Sequence, residues 1–279
     1  MRKIAVYSIT PNCIEFTAAS IKSLLINSSV DMIYLLLPND ENDTTDYSQI
    51  FPINVTIKKI DVNQYIEICC PNRFSMYTPM CLIRCAFHKI FDDEDVVLSL
   101  DYDTIVDDNI DALWDIQKLE KWKTSHLAGV KEIGRTSKIF PGVMLGSSFV
   151  QMGAEHYVRI NYINAGVMLM NLKFLRESGY GDAILSEVNR TEYLFPEQDV
   201  FNKYCSQTTI YISPEYNANQ FTDSTIHGKI IHFAGTDNKD TSQYLIEKYS
   251  KWTWESIVYH RQIKYSKYNN TGLVEITQE

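Results

Sequence analysis

Two aspartates one residue apart, Asp101 and Asp103, stand where the chain leaves the run Val96 to Leu100, an apolar segment broken only by Ser99. That run is too short for a helix and has the composition of a strand buried on both faces. Side chains two apart in extended chain point the same way, so the pair can converge on one hard cation and leave its far side for a diphosphate. Ligands of open α/β sheets collect at the carboxyl ends of strands, which is where this pair sits. The same spacing also suits an acidic turn.

Other polar residues fall in elements of their own. His232 lies in the β-rich run Lys229 to Phe233, where the plain reading is a satisfied core histidine. Arg84 falls in a helical pattern that leads toward the strand ending at Asp101, where the plain reading is an ion pair with an acid at the core edge. Glu197 and Gln198 follow Pro196 at the start of a helical pattern, where an acid serves the helix dipole. Cys81, Cys85 and His88 would share one helix face; that spacing suits zinc but lacks a fourth ligand, and it equally describes a buried stripe.

The elements that must position these residues alternate along the chain. Ile4 to Ile9 reads as a buried strand stopped by Thr10-Pro11-Asn12, and Ile14 to Asn27 as a helix. Met32 to Leu37 and Val55 to Ile60 read as strands. Ser75 to Phe91 reads as a helix carrying Arg84 toward the strand that ends at Asp101, and a short helix runs from Asp108 to about Ile116. His126 to Val130 is another strand, followed by a long glycine- and serine-rich stretch from Gly134 to Tyr162, as lids and binding loops often are. Tyr162 to Leu172 reads as a buried strand in which Gly166 marks either a close backbone approach or a plain bulge. Helices are expected over Lys173 to Glu177, over Asp182 to Asn189 and from Pro196, strands over Thr208 to Ile212 and Lys229 to Phe233, and a polar, aromatic-rich helix from Tyr244 to Arg261. This is the order of a mostly parallel sheet with helices on both faces. It implies one α/β domain over residues 1–240 and a short helical extension with a tail over 241–279.

Composition narrows the function classes. A chain of 279 residues with 45% hydrophobic and 22% charged residues builds an ordinary globular core. Its 26 basic and 35 acidic residues, a net charge of −9, argue against a nucleic-acid partner. No apolar run is long enough to span a membrane and no secretory signal is evident. The six cysteines form no Cys-x-x-Cys pairs, so a disulfide framework is not expected and the cytoplasm is the expected compartment. The cations Arg261, Lys264 and Lys267 would support at most a peripheral contact with the inner face of a membrane.

Several of these stretches, in order, resemble family 8 glycosyltransferases, retaining enzymes with a GT-A fold that take a sugar from a nucleotide donor. They are Ile4 to Leu25, Tyr77 to Trp114 with Asp101-Tyr102-Asp103, Asn164 to Leu172, Glu197-Gln198-Asp199 with Asn202, and His232-Phe-Ala-Gly235. The resemblance implies a single Rossmann-like GT-A domain in which Asp101, Asp103 and His232 hold a divalent cation. A mixed carboxylate and imidazole set suits Mn2+ better than Mg2+. Arg84 would then reach donor phosphate or sugar hydroxyls. Tyr102, Asn164, the Ala165 backbone, Gly235 and Glu132 would line the donor site, Glu197 would orient sugar hydroxyls, and Gln198 would stand beside the anomeric carbon.

Two departures accompany the resemblance. The family's first strand ends in acidic residues followed by Asn and an aromatic, whereas here Ile9-Thr10-Pro11-Asn12-Cys13 keeps only Asn12. The identity of the base therefore stays open. After Gly235 the family has a lysine and Pro-Trp, whereas Asp237-Asn238-Lys239-Asp240 brings its lysine one place late and lacks Pro-Trp. The expected activity is metal-dependent, retaining transfer of glucose or galactose from a UDP-sugar to a glycan or glycolipid. Its rivals are a non-catalytic relative serving as a binding or chaperone subunit of another glycosyltransferase, and a nucleotidyltransferase.

Overall fold

The computed structural model describes residues 2–47, 50–51, 54–74, 78–132, 162–219 and 222–234. Strands β1 (Ile4–Ser8), β2 (Met32–Pro38), β3 (Val55–Ile60), β4 (Val96–Leu100), β6 (Leu127–Lys131), β7 (Ile163–Asn171) and β8 (Ile210–Ile212) form one sheet in the order β3-β2-β1-β4-β7-β6-β8. Strand β5 (Thr104–Val106) pairs antiparallel with β9 (Ile230–His232) in a second, two-stranded sheet. The helices are α1 (Ile14–Asn27), α2 (Pro79–Leu82), α3 (Phe87–Ile90), α4 (Leu172–Glu177), α5 (Tyr180–Arg190) and α6 (Pro196–Cys205).

Pairing is parallel among β3, β2, β1 and β4 and between β6 and β8. The sheet is thus mostly parallel, as the alternation implied, but β7 runs antiparallel to both β4 and β6. Strand order reverses between β1 and β4, and at such a switch point the loops leaving adjacent strands part and open a crevice.

Successive side chains of the central strands feed opposite cores. Ala5, Tyr7, Leu98, Leu100, Val167 and Leu169 pack with α1 and Trp114 on one face. Ile4, Val6, Val97, Met168 and Met170 pack with residues of α2 to α6 on the other. Each fully buried aliphatic side chain contributes roughly 1.5–3 kcal/mol relative to exposure, so these strands are a rigid base for the loops at their ends.

Two helices differ from expectation. The described part of the helix expected over Ser75 to Phe91 is α2 and α3 joined by a 3-10 turn, Ile83–Ala86, whose four residues are all buried. The helix expected from Asp108 is a 3-10 helix, Asp111–Lys118. Over a few residues, apolar spacings of 3.0 and 3.6 cannot be told apart, which is why the pattern did not separate them. The stretch Gly134 to Asn161, the helix and tail from Tyr244, and with them the boundary at residue 240, lie outside the described residues.

Candidate active site

The Asp101 to Asp103 turn is held by hydrogen bonds from three directions. Asp101 N–H donates to Gly166 O at 2.9 Å, Thr104 Oγ1 donates to Asp101 O at 2.7 Å, and Phe233 N–H donates to Asp103 O at 2.9 Å. Thr104 is in turn 3.1 Å from Ser20 Oγ, which is 2.9 Å from the Tyr7 hydroxyl, so β1 and α1 brace the turn from below.

The β5–β9 pairing sets Thr104 opposite His232. It brings His232 Nε2 to 3.5 Å from Asp101 Oδ2 and 3.4 Å from Asp103 Oδ1. One ligand atom from each of the three lies within 4.8 Å of the others. The imidazole rests on Gly166, where a Cβ would come within 2.1 Å of His232 Cε1. Both readings of Gly166 therefore hold: the backbone approaches closely, and the β6–β7 register shifts beside it, between Gly129 and Lys131.

The charges are arranged to hold a cation. Burial opposes the imidazolium of His232, yet Asp103 and Asp101 outweigh it and raise its pKa. Burial likewise pushes the Asp103 carboxyl up, but His232 prevails and holds it below its ordinary value. A divalent cation would replace the proton that His232 otherwise carries between the two carboxylates. Two carboxylates and an imidazole nitrogen are a fitting donor set for such an ion.

Arg84 turns its fork inward. Its Nη1 donates to Ala165 O at 2.7 Å and its Nη2 pairs with Asp101 Oδ1, which leaves Asp101 Oδ2 toward His232. Burial works against this guanidinium, but Asp101 and Glu197 overcome it and keep it charged. Among the described residues its Nε has no hydrogen-bond partner, and neither does buried Glu197 Oε2. Burial raises the Glu197 pKa, although Arg84 opposes the shift. A buried polar atom without a partner is costly, and this pair, one on the guanidinium and one on the acid beside it, is available to a ligand's hydroxyls.

Gln198 is held at both ends of its amide. Oε1 accepts from Ala165 N–H at 2.9 Å, and Nε2 donates to the Tyr162 hydroxyl at 2.9 Å, which donates to Asp199 Oδ1 at 2.6 Å. The Ala165 N–H can only donate, so the amide orientation is set. Burial pushes the Asp199 carboxyl up to about 7, against the Tyr162 and Phe195 donors that favour its charge. Asn202 docks α6 on the first residue of β7, exchanging bonds of 2.7 and 2.9 Å with the Ile163 backbone.

Asn164 Nδ2 donates to Glu132 Oε2 at 2.8 Å, while its Oδ1 accepts from Gly166 N–H at 2.9 Å and Asn217 Nδ2 at 3.0 Å. Asn217 Oδ1 lies 2.9 Å from His232 Nδ1. Arg84, Asp101, Asp103, Glu132, Asn164, Ala165, Gln198 and His232 therefore meet in one network, and Glu197 faces Arg84 beside it as a charge. Sequence reasoning missed Tyr162, Asp199 and Asn217 as parts of it. The Glu197-Gln198-Asp199 run pointed at Asp199, but no local pattern marked Asn217 in its 3-10 turn, Pro214–Asn217.

The other expected residues among those described sit at the edge of this network, Tyr102 within the acid turn itself. Asn12 is exposed in the 3-10 turn Pro11–Cys13 and bonds to Thr10 of the same turn. Tyr102 is 37% exposed and meets Phe16 edge-on at 6.2 Å. Beside them a shallow, mainly apolar pocket is lined by Ala19, Asp103, Ile105 and Phe233. Gly235 and Lys239 lie outside the described residues. His88 faces Asp182, 3.4 Å away, and packs on Gly181, and all six cysteines are free thiols. No helix among the described residues is long and apolar enough to cross a membrane.

Comparison with known proteins agrees with this geometry. The sequence model of Glycosyl transferase family 8 matches residues 4–248. No curated protein matches the chain. Among solved structures, the apo bifunctional glycosyltransferase WbbM superposes with a TM-score of 0.63 at 20% identity, covering 94% of this chain and 52% of WbbM. The glycosyltransferase GlyE of Streptococcus pneumoniae TIGR4 gives 0.62 at 20% identity, covering 96% of this chain and 64% of GlyE. The galactosyltransferase LgtC, bound to donor and acceptor sugar analogs, gives 0.60 at 15% identity, covering 90% of this chain and 98% of LgtC. This chain thus spans about half of WbbM and under two thirds of GlyE, and the likeness shows a shared GT-A fold.

Proposed function

Since the chain belongs to glycosyl transferase family 8, we propose that it transfers a hexose, glucose or galactose, from a UDP-sugar to a glycan or glycolipid acceptor with retention at the anomeric carbon. The observation that carries this reading is the meeting of Asp101, Asp103 and His232 with Arg84 and Gln198 at the switch point of the sheet. Asp101, Asp103 and His232 would hold Mn2+ in preference to Mg2+. Bound there, the ion supplies Lewis-acid neutralisation of the departing diphosphate.

The chain's own residues do the rest. Arg84 fixes one Asp101 oxygen and the Ala165 carbonyl, so the acid turn and the sugar wall keep one geometry. The orphaned Glu197 Oε2 and Arg84 Nε accept and donate hydrogen bonds to sugar hydroxyls. Gln198 keeps a lone pair of Oε1 free to face positive charge growing at the anomeric carbon, and an amide is too weak a nucleophile to form a covalent adduct. Attack therefore comes on the face the diphosphate leaves. The acceptor oxygen bonds to the anomeric carbon as the carbon–oxygen bond to phosphate breaks, and the acceptor proton passes to the leaving phosphate oxygen. We place this activity in the cytoplasm, with at most peripheral membrane contact.

The test is calorimetric titration with a panel of nucleoside diphosphates and UDP-sugars, with Mn2+ and then with chelator. Selective, Mn2+-dependent binding of the uridine compounds is the expected result. Preference for another base would overturn the donor assignment. No binding by folded protein would replace the enzyme reading with that of a binding subunit.

A further inference from the structure

Resting on the reading of His232 as a metal ligand, we infer that Asn217 is a positioning residue: it holds the His232 ring so that Nε2, not Nδ1, is offered to the cation, and it joins that ring to the sugar wall.

The hydrogen bonds have a forced direction. Asn164 Nδ2 lies 2.8 Å from Glu132 Oε2, a carboxyl oxygen that accepts from it. The Gly166 N–H can only donate, and it points at Asn164 Oδ1 from 2.9 Å, which confirms that orientation from a separate group. Asn164 Oδ1 must then accept from Asn217 Nδ2 at 3.0 Å. That leaves Asn217 Oδ1 as the acceptor facing His232 Nδ1 at 2.9 Å. Nδ1 carries the hydrogen, and in the neutral ring Nε2 keeps its lone pair toward Asp101 and Asp103. A ligating histidine ordinarily donates its second nitrogen to an acceptor that fixes tautomer and ring orientation, and here a side-chain amide takes that place.

The surroundings hold Asn217 as firmly as its partners. It is 2% exposed. The next residue anchors the same strand, since Ala218 O accepts from His232 N–H at 2.7 Å and Ala218 N–H donates to Ile230 O at 2.8 Å. Gly166 closes the other side of the ring. The imidazole is thus confined in its plane by packing, and Asn217 decides which nitrogen faces the acids.

The experiment measures uptake of Mn2+ alone by electron paramagnetic resonance of the free ion. It compares the wild-type protein with Asn217→Leu and Asn217→Asp, each checked for its fold by circular dichroism. Asn217→Leu should bind Mn2+ roughly 10- to 100-fold more weakly. Asn217→Asp keeps an acceptor for Nδ1–H while giving up the bond to Asn164, and should bind Mn2+ clearly more tightly than Asn217→Leu. Equal affinity of Asn217→Leu and wild type overturns the inference, and so does equal weakening of both variants, which would mark a packing role. Absence of Mn2+ uptake by wild type would instead overturn the metal site itself, and the role of Asn217 with it. Long-range nitrogen-15 correlation of the metal-free wild-type ring, taken on the alkaline side of the ring's own titration as followed by the same nitrogen shifts, needs no variant. It should show the Nδ1–H form, and a predominant Nε2–H form would sink the proposal.

Discussion

The two ends of the crevice are built differently. At the acid end, Asp101, His232, Arg84, Asn164 and Gln198 are tied by bonds that run between β4, β7, β9, α6 and the Asn217 turn. At the other end, Thr10, Asn12 and Cys13 bond to one another within one turn, and Tyr102 leans on Phe16 half in solvent. A departing diphosphate needs charges fixed before it arrives, because reorganising them during reaction would add to the barrier. A base has a flat face and can be gripped by stacking that orders on binding. On the proposed reading the acid end carries the transfer chemistry, and the open end is where the base would be recognised.

The largest expected effect comes from disabling the acid end. Asp101→Asn with Asp103→Asn keeps shape and a hydrogen-bond acceptor for buried Arg84 while removing both charges. Transfer, followed as nucleoside diphosphate release, should fall by about a thousandfold or more. Retained turnover in the double variant would remove the basis of the comparison.

Next in size is Tyr162→Phe, which takes away the acceptor of Gln198 Nε2 and leaves that amide held by the Ala165 N–H. One lost hydrogen bond of about 1–1.5 kcal/mol corresponds to roughly a tenfold drop in kcat. KM for the donor should not move, and a change confined to KM would place Gln198 in binding instead.

Asp199 sharpens the same end through pH. Burial pushes its carboxyl up to about 7, and the ionised form accepts at both oxygens, from the Tyr162 hydroxyl and from Phe195 N–H, whereas the protonated form must place a hydrogen on one of them. kcat should therefore decline on the acid side of about pH 7, and Asp199→Asn should lose that limb. The stability effect has the opposite sign. The pKa is raised from 3.8, so the native state binds more protons between the two values. That contribution is full below 3.8 and is lost as pH rises through about 7. Thermal melts should show the decline in wild type and a flatter profile in Asp199→Asn.

The smallest effects belong to the open end. Tyr102→Ala or Phe16→Ala should weaken donor binding by about two- to tenfold, the scale of one aromatic contact, with kcat unchanged. Asn12→Ala should weaken it less. A loss as large as that of the acid pair would show that the two ends are not built differently after all.

By itself the sequence determined the local elements and the order of the chemistry. Strands β1 to β4 and helix α1 follow from apolar runs bounded by turn residues, and the placement of Asp101 and Asp103 follows from the strand before them. Gln198 in the first turn of α6 was legible from Pro196 and the acids around it. These are short-range matters, settled by side-chain period and backbone stops. The family resemblance named His232 as the third ligand, but no residue pattern did; its meeting with the acids rests on the pairing of β5 with β9, three residues each and far apart in the chain. Only the tertiary structure decided the antiparallel course of β7, the place of Tyr162 and Asp199 behind Gln198, and that of Asn217 behind His232. An asparagine or tyrosine carries no mark of its partner along the chain. Burial decides which donors and acceptors must find one another, and burial is set by the packing of the whole fold.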